Sequence, residues 1–267
     1  MAQNAGGGTV GKALRVLDQV AAHGAPVRFS ELLAASEYPK ATLFRFVQTL
    51  TDQGMLAYDP ERQTYAPGVR LMRLAHAAWA QSSLAPIARP YLDGLSRKLG
   101  ETVHLAQLDH AQVLYVDKRN AAQPIEMYSE AGKVGPAYCT GVGKAMMAFL
   151  DDAMLDGVIS QQSFHKFTPG TLSGSDALRA ELKEIRSNGY GFDREEHEPG
   201  IICVAVPILT PRGRVLGGLS VTSSTTRTNL AEMEKLVPDL SATAKNIAEE
   251  AQSWRFPDHQ KSETIGV

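Results

Sequence analysis

The chain has 267 residues, with 27 Lys and Arg against 29 Asp and Glu, and 43% of its residues are hydrophobic. A formal net charge of −2 excludes a protein that coats nucleic acid through bulk basicity, so any DNA contact has to be local. There is no apolar run long enough for a membrane helix and no signal peptide, and the two cysteines, Cys139 and Cys203, form neither a CxxC pair nor a disulfide framework. The expectation is therefore a cytoplasmic, bacterial-type protein with reduced thiols, one or two domains and no membrane partner.

Taken in order, residues 1–8 are polar and glycine-rich and read as a disordered tail. An amphipathic helix follows, with Ala13, Leu14, Val16, Leu17 and Val20 apolar and Lys12 and Arg15 polar. Residues 29–65 then read as two short helices and a strand–turn–strand. Ser30 is a candidate N-cap for a helix carrying Leu32 and Leu33 inward to about Ala35. Ser36-Glu37-Tyr38 is a tight turn, and Pro39 opens the second helix at its first position, where a missing N–H costs nothing. Leu43, Phe46, Val47 and Leu50 make one apolar stripe on that helix, and Gly54 stops it. Its other face shows Lys40, Ala41, Thr42, Arg45 and Gln48. Residues 55–58 and 64–66 are strands around a turn at 59–63. Three helices and a hairpin in this order make a winged helix-turn-helix, whose second helix suits a major groove. Residues 1–80 hold 8 Lys and Arg against 6 Asp and Glu, a small excess that calls for a dimer to hold DNA.

Residues 69–79 read as a connecting helix. Its apolar side, Val69, Leu71, Met72, Ala75 and Trp79, meets either a second subunit or its own domain. A helix over 84–99 ends at Gly100. Strands follow at 101–108, 112–117 and 125–129, then a loop at 135–141 and an apolar helix at 143–150. Further helices are expected at 151–160 and from Ser173 or Ser175 to Asn188-Gly189, and a short strand at 190–192. A hairpin over 201–209 and 214–221 and a long helix over 229–254 close the fold, and the tail beyond is polar and mobile. Strands interleaved with helices in this pattern indicate an α+β sensor, one antiparallel sheet with helices on its faces.

Gly141-Val142-Gly143 opens the apolar helix at 143–150. Its first N–H groups lack helical partners and can hold a carboxylate. The alternative is a mere tight turn. Gly143-Lys144 is not a P-loop, because Tyr138 replaces the required glycine and Ala145 the hydroxyl that would hold magnesium. His104, Cys139, His197 and Cys203 are zinc-capable residue types, but their spacing demands no metal site. The rival class is a metabolite-binding or thiol-dependent enzyme using Cys139 or Cys203. No His–acid pair supports it, and it leaves the winged helix without a task.

Over residues 10–253 the chain resembles the IclR family of bacterial transcription regulators. The motifs carrying the resemblance are Pro39-Lys40-Ala41-Thr42-Leu43-Phe44-Arg45-Phe46, Gly100-Glu101-Thr102-Val103-His104-Leu105 and Cys139-Thr140-Gly141-Val142-Gly143-Lys144-Ala145. Gly189 to Glu196 with Pro199 to Ala205, and Gly218-Leu219-Ser220-Val221-Thr222, complete the set. Where the family usually has Gly-Leu in the helix-turn-helix turn this chain has Glu37-Tyr38, where Ser is frequent it has Ala41, and where His or Tyr is common it has Phe44. These departures bear on the operator sequence, not on how the groove is read.

The resemblance implies a winged helix-turn-helix (9–67) joined by a linker helix (68–82) to a GAF-like α/β effector-binding domain (83–254), between tails at 1–8 and 255–267. It implies a homodimer or tetramer on palindromic operator DNA, no catalytic residue, no cofactor and no metal. DNA-contacting residues would be Lys40, Ala41, Thr42, Phe44, Arg45, Gln48 and, in the wing, Arg62. The effector pocket would be lined by Met127, Gly141, Val142, Asp193, Ile201, Cys203, Ser220 and Thr222. Ser220 and Thr222, two residues apart on a strand, share one sheet face. Asp193 would repel a carboxylate beside it and is better used to accept from a ligand hydroxyl. The implied effector is a small organic acid. The stretch Met127-Tyr128-Ser129 and the run Val204 to Pro207 look most like regulators of sugar-acid catabolism, with aromatic acids, glyoxylate-like acids and lactone products as the alternatives. The expected function is a regulator, read as a repressor, of a catabolic operon.

Overall fold

The computed structural model describes residues 8–82 and 84–253, so the expected tails lie, Gly8 apart, outside the described residues. The chain divides into two compact units, one through Gln81 and one from Ser82.

The first unit runs α1 (Thr9–Ala22), β1 (Val27–Arg28), α2 (Phe29–Ala34), α3 (Lys40–Asp52), β2 (Leu56–Asp59), β3 (Thr64–Pro67) and α4 (Val69–Ser82). Val16, Leu17 and Val20 of α1 meet Leu32 of α2 and Leu43, Phe46, Val47 and Leu50 of α3 in one core. Fully burying side chains of this size stabilises by about 1.5–3 kcal/mol each. Leu14 departs from the expected stripe and is 47% exposed. Ala13, Val16, Leu17 and Val20 already fill the inward arc at helical spacing, and Leu14 is turned about 100° from Ala13.

The start of α2 also differs. Arg28 is extended at the cap and Ser30 lies inside the helix, while the Glu31 carboxylate accepts the Arg28 N–H at 2.8 Å. Pro39 is the cap of α3 and not its first residue; its carbonyl accepts from the N–H groups of Thr42 and Leu43 at 2.9 and 3.0 Å. Gly54, at φ +68, turns the chain out of α3 as expected. The wing gains a third strand in the order β1-β3-β2, with Val27 opposite Tyr65. Two residues are too short a strand to show a period. On α4, Leu71 packs against the core of its own unit, while Val69 (70%), Met72 (73%) and Leu74 (50%) are exposed.

The second unit runs α5 (Ala85–Leu99), β4 (Thr102–Asp109), β5 (Gln112–Arg119), β6 (Val134–Pro136), α6 (Gly141–Met147), α7 (Asp152–Ser160), α8 (Ser175–Asn188), β7 (Gly191–Arg194), β8 (Ile201–Leu209), β9 (Val215–Ser224), α9 (Leu230–Glu234) and α10 (Val237–Glu250). A short 3-10 turn, Ala251–Ser253, follows. The strands form one antiparallel sheet ordered β6-β5-β4-β9-β8-β7. Helices α5 and α10 pack together on one face, and α6, backed by α8, covers the other. With both faces covered, β8 and β9 are buried almost throughout and lose the in–out alternation of a half-exposed sheet.

Residues 125–129 form no strand; the edge strand is β6, nine residues on from Ile125. The expected closing helix over 229–254 is broken after Glu234. Pro238 has no N–H and its ring collides with the carbonyl four residues back, so α10 restarts with the proline in its first turn. Helix α8 begins at Ser175 with Gly174 at the cap position, so neither candidate serine caps it through its side chain.

Candidate functional site

On α3 the inward stripe leaves Lys40, Ala41, Phe44, Arg45 and Gln48 exposed, with Thr42 half-buried. Lys40, Phe44 and Gln48 recur every four residues along one line, and Ala41 and Arg45 form the line beside it. The Arg45 guanidinium lies 6.0 Å from the Phe46 ring centre, and Gln48 donates to Asp52 at 3.3 Å. Neither Lys40 nor Arg45 forms a salt bridge among the described residues, so both charges face outward. In the wing turn the Arg62 side chain is 80% exposed, 4.0 Å from Asp59. The seven residues expected to touch DNA thus all lie on α3 and the wing turn of one unit.

In the second unit strand register builds a wall. Asp193 pairs with Cys203 and Cys203 with Thr222, giving one row across β7, β8 and β9. Ala205, Ser220 and His104 form the next row on the same face across β8, β9 and β4. Helix α6 lies over these rows. A Cβ at Gly141 would run into Cys203 Sγ and come within 3.0 Å of the Asp193 nitrogen, so only glycine lets the helix start this close to the sheet.

Between wall and helix is a small cavity that opens to solvent. All eight residues expected at an effector pocket line it: Met127, Gly141, Val142, Asp193, Ile201, Cys203, Ser220 and Thr222. Met127 does so from an irregular segment instead of a strand. Sequence reasoning missed His104, Tyr115, Ser129, Thr140, His197 and Glu198, which complete the lining. His104 had a signal: it lies two residues beyond Thr102 in a strand, pairing with a row already assigned. Tyr115 had none. A bulge after Leu105 sets Leu105 opposite Asp117 but Ala106 opposite Tyr115, and the extra residue turns both Tyr115 and Lys118 to the His104 side.

The cavity is rich in hydroxyls, and none of its fourteen lining residues is Lys or Arg. His104 is buried, with Nε2 2.8 Å from Ser129 Oγ and Nδ1 3.2 Å from Thr222 Oγ1. Burial, aided by Lys118, pushes its pKa down to about 3, so the ring is neutral. Lys118 itself donates to Ser129 O at 2.8 Å and to Glu130 at 2.6 Å. Burial and the neighbouring Glu196 carboxylate push Asp193 up to about 7, against the pull of the Glu196 N–H that it accepts at 2.8 Å. Burial opposes the charge of Glu198 too, but His197 and the Tyr128 N–H outweigh it and hold that carboxyl below its usual range. The His197 ring meets Tyr128 and Phe167 edge-on, at 5.5 and 4.8 Å.

Behind the cavity, Lys144 of α6 is wholly buried. It pairs with Glu196 and, at 3.1 Å, with Glu181 of α8, which also takes Arg194 at 2.7 Å. This network ties α6, α8 and the end of β7 together beneath the Asp193 row, and Glu196 links it to Asp193 directly.

The thiols do not suit catalysis. Both are free and buried; burial pushes Cys139 up to about 12 and Cys203 higher still, so neither offers a thiolate near neutral pH. Among the described residues no group of three or more His, Cys, Asp or Glu is placed to hold a metal ion, and no helix is long and apolar enough to cross a membrane.

Comparison with known proteins agrees in both units. Residues 9–60 match the IclR helix-turn-helix domain, and residues 76–249 match the bacterial transcriptional regulator IclR C-terminal domain. The HTH-type transcriptional regulator XynR of Escherichia coli is 31% identical over 84% of this chain and 89% of its own length. The HTH-type transcriptional regulator KdgR of the same organism is 30% identical over 86% and 88%. Among solved structures, the IclR of Thermotoga maritima superposes with a TM-score of 0.72 at 28% identity, covering 91% of this chain and 98% of that one.

Proposed function

The chain belongs to the IclR family of bacterial transcriptional regulators, and from that premise we propose that it is a repressor of a catabolic operon released by a small organic acid. It acts in the cytoplasm as a homodimer or tetramer on a palindromic operator. Helix α3 enters the major groove, where Lys40, Ala41, Thr42, Phe44, Arg45 and Gln48 meet bases and phosphates, and Arg62 of the wing touches the backbone or minor groove. The two-fold symmetry of the assembly sets half-sites about one or more helical turns apart.

The observation that carries the effector reading is the cavity between α6 and the β7–β8–β9 rows. It joins acceptors, hydroxyls and the neutral His104 imidazole on a wall without Lys or Arg. With no Lys or Arg available, an acid is held by the N–H groups of Gly141 and Val142, which as the first residues of α6 have no helical partner, and by Ser220 and Thr222. Asp193 in its protonated form donates to the ligand instead of repelling it. A sugar-derived acid suits this wall better than a bare carboxylate, since its hydroxyls answer Asp193, Glu198 and Ser129. To switch the protein strongly, the acid must prefer one arrangement of the DNA-reading units by several kcal/mol.

The test is a thermal-shift screen of the purified protein against small organic acids, sugar acids included. Each hit is repeated in an operator-binding assay. A hit that raises the melting temperature and lowers operator affinity is expected. Acids that bind without altering operator affinity, or that are turned over to product, would rule the reading out.

A further inference from the structure

The outer face of α3 carries an aromatic ring that its own unit does not need. The core is filled from the inner stripe by Leu43, Phe46, Val47 and Leu50, yet Phe44 points outward and is 52% exposed. The ring is not loose. It meets Phe29, the first residue of α2, edge-on at 5.8 Å with the planes 78° apart. Ala41 lies on the preceding turn and exposes only a methyl group, so Ala41 and Phe44 make an apolar patch between the two outward cations, Lys40 and Arg45. A face built only to meet phosphates and polar base edges has no use for such a patch. The major groove offers one apolar group that matches it, the C5-methyl of thymine.

We propose that Phe44, seated against Phe29, packs on the C5-methyl of a thymine in each operator half-site and so selects thymine over cytosine there. This rests on the operator reading given above and adds to it the base and the group recognised. Cytosine presents no methyl at that place, and the ring can neither accept from nor donate to its amino group, so the discrimination is apolar. Lys40 and Arg45, one on either side, fix the depth at which the ring meets the base.

The experiment uses the full-length protein and duplexes selected with it from a random library at low salt. Each thymine of the selected half-site is replaced, one at a time, by deoxyuridine, which removes the methyl and nothing else. One position per half-site should weaken binding by about 3- to 10-fold. Phe44→Ala should bind the thymine and deoxyuridine duplexes equally, and Phe44→Leu should keep part of the preference. Because Phe44 is exposed, both variants should fold, which circular dichroism and the melting temperature verify. A duplex bound tightly with no methyl-sensitive thymine overturns the proposal, and so does a methyl effect that persists in Phe44→Ala. Retention of no duplex at all by the unaltered protein removes the operator reading itself and the methyl contact with it. The two failures are separated before any base is changed.

Discussion

Asp193→Asn separates the proton held at the cavity wall from every other charge in the chain. In the folded protein this buried carboxyl keeps its proton up to about pH 7, against 3.8 for an ordinary aspartate. Between those values the folded chain binds more protons here than the unfolded chain, so stability falls as pH rises through the window. Below it both states are protonated and nothing is lost; above it the loss is complete. Each pH unit inside the window is worth about 1.4 kcal/mol, so moving from about pH 5 to about pH 8 weakens the wild-type protein by at most roughly 3 kcal/mol through this group. Asparagine keeps an acceptor for the Glu196 N–H but has no proton to lose. The stability of the variant relative to wild type should therefore rise by about 1–3 kcal/mol over that range. Urea unfolding of both proteins, followed by far-ultraviolet circular dichroism across the range, measures the difference directly, and pH effects elsewhere cancel. The same substitution should flatten the pH dependence of acid binding, which in the wild type is expected to tighten as pH falls through about 7 and Asp193 takes up its proton. Parallel stability curves for the two proteins would mean that Asp193 is ionised in the folded chain, and the account of a proton-holding wall would be refuted.

Three further outcomes are expected. Arg45→Ala should weaken operator binding by about 1–3 kcal/mol without altering effector affinity, and an unchanged gel-shift midpoint would remove Arg45 from base contact. Gly141→Ala places a methyl group against Cys203 Sγ, so it should push α6 off the wall and lower effector affinity at least about tenfold while operator binding by the separate first unit survives; normal induction would show that the close approach is dispensable. Lys144→Met leaves the buried Glu196 carboxylate only the Arg194 guanidinium, 4.0 Å away, and should cost up to about 3–5 kcal/mol, part of it recovered when Glu196→Gln is added; strictly additive losses in that double-mutant cycle would mean the two groups are not coupled.

The sequence by itself determined the winged helix and the choice of its outer face. Leu43, Phe46, Val47 and Leu50 recur at helical spacing, so the residues between them are forced outward whatever the rest of the chain does. It also determined that Ser220 and Thr222 share a side, since a strand alternates with a period of two. Local patterns stop where a neighbour decides. Leu14 looked inward by type, but Ala13 and Val16 already held the arc facing α3. The closing helix looked continuous by composition, and Pro238 divided it. Two residues of β1 carried no period at all and became a strand only because β3 offered its edge. The cavity was legible as a set of motifs. Its chemistry was not, because that depends on which strands lie side by side. A bulge opposite Leu105 brings Tyr115 and Lys118 around to His104, pairing across β7, β8 and β9 lines up Asp193, Cys203 and Thr222, and α6 starts close enough to the sheet to bury that row. Proton affinity is set by that enclosure. An aspartate read along the chain is an ordinary acid, and only burial beside Glu196, on a wall without Lys or Arg, lets it keep its proton near neutral pH.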